Sequence, residues 1–141
     1  MKYEKEVTLE LKKTENLLER AKTANNLRDK ISRAYYACYH AMIAAIWTIG
    51  NFSETNLDTA HRRVLEEYIS NFSKTKGTRI VLIKNVARVV QKWKNLRCAA
   101  DYDIFTSDFE NTLIRDTEEE LIKMYQFIDM HIIFIESKLI L

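Results

Sequence analysis

Almost nothing in this chain can end a helix. Proline does not occur among its 141 residues, and glycine occurs only as Gly50 and Gly77. Proline breaks a helix by removing a donor and crowding the turn before it, and an interior glycine costs about 1 kcal/mol relative to alanine. So few breakers predict long helices. The length suits one domain, residues 1–141, able to bury a core without staples. Cys38 and Cys98 form no disulfide framework and read as free thiols of a reducing compartment. No basic-then-apolar leader follows Met1, and no apolar run approaches the ~18 residues of a membrane span. A soluble cytoplasmic protein, with no membrane partner, is the expectation.

Apolar residues recur at helical spacing and divide the chain. The period predicts helices near residues 3–24, 27–49, 58–72, 79–96 and 107–138. The first carries Val7, Leu11, Leu18 and Ala21 on one stripe, and Asn25-Asn26 interrupts it. The second ends at a loop headed by Gly50, and Asp58 is a plausible N-cap for the third. In the fourth, Ile83, Val86, Val90 and Trp93 line the inward side, and residues 98–106 read as less regular. Ser107 and Glu110 have capping-box spacing at the head of the last helix. The fold class expected is all-α: an up-and-down antiparallel helical bundle of four long helices plus one shorter helix. Trp47 and Trp93 read as core.

The second helix has two contrasting faces. Ala34, Cys38, Ala41 and Ala45 make a narrow stripe of small side chains that lets a neighbouring helix come close. Arg33, Tyr36, His40, Ile43 and Trp47 fall on the other side. A helix polar on so little of its surface is buried on more than one side. Residues 130–135, in the last helix, are apolar nearly all round, so their own bundle or another chain must cover them. A homodimer or a partner protein is expected on that ground.

Charge is segregated. Residues 68–100 hold no acid but eight basic side chains, among them Lys84, Arg88, Lys92 and Arg97. Residues 101–120 then hold eight acids against Arg115 alone. Either two helices attract each other through these strips, or the basic strip is a face for phosphate or nucleic acid.

Conventional catalytic signatures do not occur: no phosphate-cradling glycine loop, no zinc-type HExxH or CxxC spacing. His40, His61 and His131 lie far apart, and no metal or cofactor is expected. The run Glu118-Glu119-Glu120 reads as a solvated face. Two segments remain. Arg33 and His40 project to nearly the same side of one helix, ~10 Å apart, with Tyr36 between them. Arg97 stands where the inward line of the fourth helix calls for an apolar residue, and Asp101 follows at i,i+4. They would form an ion pair lining a cleft.

Ser32-Arg33-Ala34-Tyr35-Tyr36-Ala37 followed by His40-Ala41 resembles the signature helix of the HEPN domains, and within them the small stand-alone UPF0332-type branch. Arg97 with Ala100-Asp101-Tyr102 resembles that branch's second block, and His61 sits where the branch often has a histidine. The resemblance spans roughly residues 5–135. It implies a helical bundle, often dimeric, paired with a minimal nucleotidyltransferase as a toxin–antitoxin-like module. Many HEPN proteins are metal-independent endoribonucleases whose motif is an arginine, four to six residues, then a histidine. Here Tyr102, Asp103 and Ile104 occupy the histidine's positions after Arg97, while Arg33 and His40 fit the spacing on a different helix.

These readings combine into one expectation: a dimeric protein that binds or acts on RNA or nucleotides. Arg97 would hold phosphate and Asp101 would orient it. Arg33, Tyr36 and Tyr102 would line the binding cleft, and His40 would transfer the proton if RNA is cleaved. The alternative is a catalytically inactive module that binds a nucleotide or a partner protein.

Overall fold

The computed structural model of the protein describes residues 2–49, 61–73, 86–102 and 107–139, the side chains of 61, 62, 71–73, 102 and 107–116 excepted. These residues form five helices: α1 (Glu4–Thr23), α2 (Leu27–Ile49), α3 (His61–Ser73), α4 (Val86–Tyr102) and α5 (Ser107–Leu139). Among the described residues there is no strand, and the fold is all-α.

The ends of α1, α2 and α5 fall within a residue or so of those read from the periodicity. Asp58 and residues 79–85 lie outside the described residues. Residues 98–102, read above as irregular, instead continue α4 by more than a turn. The reason is packing: Ala100 is 2% exposed and clusters with Ile31 of α2. At the head of α2, the Asn26 side-chain oxygen Oδ1 accepts from the Asp29 backbone N–H at 2.9 Å, while the Asn26 side-chain Nδ2 donates to the Asp29 carboxylate at 3.1 Å. This reciprocal cap explains why the chain restarts as helix directly after Asn25-Asn26.

Helix α2 is central and packs against each of the other four. Its small stripe meets α5, where the fully buried Cys38 thiol points to the Met124 carbonyl oxygen at 3.8 Å. Ala44 clusters with Ile135, so α2 and α5 run the same way. Tyr3 meets Trp47 and Glu10 meets His40, so α1 runs against α2. Arg97 and Ala100 meet Tyr35 and Ile31, so α4 also opposes α2. The four long helices therefore alternate in direction, and the shorter α3 lies in the connection between α2 and α4. The main core joins all five helices around Tyr35, Met42, Tyr68, Trp93 and Phe127.

Residues 130–135 are mostly covered by this bundle. His131 and Ile135 are fully buried, and of the large apolar side chains in the run only Ile133 is well exposed, at 68%. The apolar run thus demands less covering by a second chain than its sequence suggested. No described helix is long and apolar enough to cross a membrane.

Candidate functional site

The inward line of α4 runs through Val90, Trp93, Arg97 and Ala100, all buried. Their spacing of three and four keeps one face of α4 on the core. Arg97 therefore enters the interior with its charge, and its side chain is only 8% exposed. A buried guanidinium is costly unless paired and hydrogen-bonded. One turn on, the Asp101 carboxylate lies 3.5 Å from Arg97 Nη1. From α2, the rings of Tyr35 and Tyr36 lie 5.5 Å and 5.4 Å from the guanidinium carbon, within cation–π range. Burial works to lower the Arg97 pKa, but the Tyr36 phenol, the Cys98 thiol and Asp101 outweigh it and raise it further. Arg97 is thus a fixed positive charge in the seam between α2 and α4. Burial pushes the Tyr35 phenol well above its usual value, against the pull of Arg97, so Tyr35 stays neutral.

The sequence grouping of Arg97, Asp101 and Tyr36 is met by this geometry. His40 and Arg33 turn to a different neighbour. His40 Nδ1 lies 2.5 Å from Glu10 Oε2 of α1. Arg33 Nη1 donates to the Arg20 carbonyl oxygen, also of α1, at 3.5 Å. The polar face of α2 is therefore shared by two seams, with Tyr36 between them. The side chains of Tyr102 and His61 lie outside those described.

Glu10 went unremarked in the sequence, yet a signal existed. It flanks the buried line Val7, Leu11, Thr14, Leu18 and Ala21 of α1. A carboxylate there needs a partner for the same reason Arg97 does. Burial alone would raise its pKa, but hydrogen bonds and charge from His40 and Lys13 outweigh this and hold it below the usual carboxylate range.

The acidic run divides too. Glu118 and Glu119 are exposed, as a solvated face would be. Glu120 is 4% exposed: it accepts from Trp93 Nε1 at 2.8 Å and from Lys92 Nζ at 3.0 Å, tying α5 to α4. This is where the basic and acidic strips meet. Arg88, also on α4, is exposed, whereas Lys84 lies outside the described residues. Among the described residues no three His, Cys, Asp or Glu side chains group as metal ligands would. No family model matches the chain, and neither does any curated protein or solved structure.

Proposed function

We propose that this is an HEPN-type helical protein that binds RNA or nucleotides through a phosphate held at Arg97. The observation that carries the reading is the buried guanidinium set against two adjacent tyrosine rings, with its carboxylate partner one turn away. Asp101 fixes the plane of the fork, and a fork of donors suits phosphate oxygens. Tyrosine and arginine planes are also surfaces on which unstacked bases lie. The exposed Arg88 extends positive charge along α4.

Cleavage of RNA without metal is the second reading, and the engaged His40 favours it over a purely structural bundle. The resemblance adds two partners to the proposal, a second copy of this chain and a minimal nucleotidyltransferase, in a toxin–antitoxin-like pair. A catalytically inactive nucleotide- or partner-binding module is the alternative.

One experiment separates these readings. Purified protein is incubated with mixed RNA in EDTA, and binding and cleavage are followed together. Arg97→Ala should weaken binding, and Arg97→Lys should weaken it too although charge is kept. Full RNA and nucleotide binding by Arg97→Ala would remove the reading. Binding without cleavage would select the inactive module.

A further inference from the structure

Helix α5 turns two large apolar side chains to solvent. Ile122 is 57% exposed and Ile133 is 68% exposed. A lone exposed isoleucine needs no explanation. These two are eleven residues apart, three helical turns, so they stand on one line of α5 with ~16 Å of rise between them. Gln126 and Asp129 lie between them on the same face, and Glu119 and Glu136 lie beyond them, all four exposed. Leu9, the third well-exposed large apolar side chain among the described residues, has no such companion and stands on α1 opposite the buried line of Val7 and Leu11.

The line on α5 reads the same from both ends. Its midpoint falls between Phe127 and Ile128, which are themselves buried in the bundle. Turned end for end about that midpoint, Ile122 takes the place of Ile133, Gln126 that of Asp129 and Glu119 that of Glu136.

We propose that this line is the docking surface for a second copy of the chain, α5 against α5 and antiparallel across a two-fold axis, which rests on the second-copy reading given above and supplies its surface. Such an interface is isologous, each patch meeting itself. Ile122 then covers Ile133 of the second copy, and both leave water. At the centre, the Gln126 amide donates to the Asp129 carboxylate of the second copy, and the axis repeats the bond. No polar group at the centre is left unmet. A parallel pairing would instead set Asp129 on Asp129, and an unrelated apolar segment would cover that carboxylate without a donor. The sequence of the line therefore favours its own reversed copy over either.

Charge at the margins agrees. The axis brings Glu119 level with Glu136 of the second copy, and Lys123 stands on that flank. Lys123 Nζ already lies 3.7 Å from the Glu119 carboxylate, and its side chain is half exposed. It supplies the cation between the two carboxylates. A single helix pair covers less than the ~1,200 Å² of a standard interface, so the dimer is weak and depends on concentration. That agrees with a run at residues 130–135 that its own bundle mostly covers.

The test uses the full chain without RNA. Sedimentation equilibrium from about 10 μM to 1 mM, where small interfaces dissociate, should show the mass rise from 16.7 kDa towards twice that. Ile122→Glu and Ile133→Glu should each raise the dissociation constant by about tenfold or more, since the axis applies each change twice. Leu9→Glu should leave it unchanged. Urea unfolding of all three at low concentration should match the wild type, because these side chains are exposed in the single chain. Disulfide trapping in a Cys98→Ser background reads the register. Gln126→Cys mixed with Asp129→Cys should cross-link across the pair more readily than either variant alone. A dimer unmoved by both glutamate variants, or Asp129→Cys linking best to itself, would overturn the α5 surface and leave the second copy to another face. A wild type that stays at 16.7 kDa throughout would remove the second copy as well.

Discussion

His40 and His131 make the same first commitment and end in opposite surroundings. Each engages a partner through Nδ1: His40 the Glu10 carboxylate, His131 the Phe127 carbonyl oxygen at 2.6 Å. Because a carbonyl only accepts, His131 Nδ1 carries a proton, and its neutral Nε2 accepts from the Tyr68 hydroxyl at 2.6 Å. The Phe127 ring lies 4.1 Å away between centroids. His131 is fully buried, and that burial pushes its pKa down to about 4, against the opposing help of the carbonyl. The α3–α5 contact has thus made histidine a neutral structural bond. The α1–α2 seam gives it a charged partner and an opening to water. The difference lies in the partners and the exposure, which is why a histidine's role cannot be read from the histidine alone.

The largest effect expected from this contrast is a pH dependence that belongs to His131. The unfolded chain takes up the proton below about 6.5, the ordinary histidine value, and the folded chain only near 4. Between those values the unfolded state holds more protons, so stability falls as pH falls. The full difference is on the order of 3 kcal/mol, a large share of a typical domain's stability. Urea titrations at pH 7 and pH 4 should show it, and His131→Leu should lose most of that slope. If His131→Leu keeps the slope, His131 is not the group that titrates and the contrast fails.

A smaller loss should follow Tyr68→Phe. The ring remains, but His131 Nε2 is left buried without the hydroxyl. Leaving one such acceptor unmet costs about 1–3 kcal/mol. Chemical denaturation at neutral pH should report that loss, with RNA binding unchanged, because Tyr68 bonds to His131 of α5 while Arg97 lies against Tyr35 and Tyr36 of α2. A shift in RNA binding as large as the loss of stability would merge the two regions.

The sequence disclosed the helices more fully than it disclosed these partnerships. With no proline and two glycines, periodicity was the whole signal, and it placed α1, α2 and α5 closely. It failed at residues 98–102, where Ala99 and Ala100 blur the apolar rhythm and where packing of Ala100 on Ile31 decides the outcome. Arg97 and Asp101 were legible because they share one helix, one turn apart. Glu10 with His40, Trp93 with Glu120 and Tyr68 with His131 were not, because each joins residues far apart in sequence. Their only local trace is a polar residue on or beside a buried line. That trace shows that a partner is needed without saying which one. Glu120 was hidden further by its exposed neighbours Glu118 and Glu119.

The smallest effect should come from the α1–α2 seam. Glu10 and His40 side chains are 14% and 22% exposed, so water can replace a lost partner. A partly screened pair of this kind contributes about 0.5–1 kcal/mol. A double-mutant cycle of Glu10→Ala and His40→Ala, followed by urea unfolding at pH 7, should return a coupling of that size. The titration of Glu10 also separates it from His131. Its carboxyl is held below the ordinary carboxylate value of about 4.3, so its stabilisation is complete above that value and is lost as pH falls through the lowered one. That window begins where the His131 window is closing. A coupling of about 3 kcal/mol would make the α1–α2 seam as structural as the α3–α5 contact. A coupling below about 1 kcal/mol would instead show that partial exposure, not the presence of a partner, separates His40 from His131.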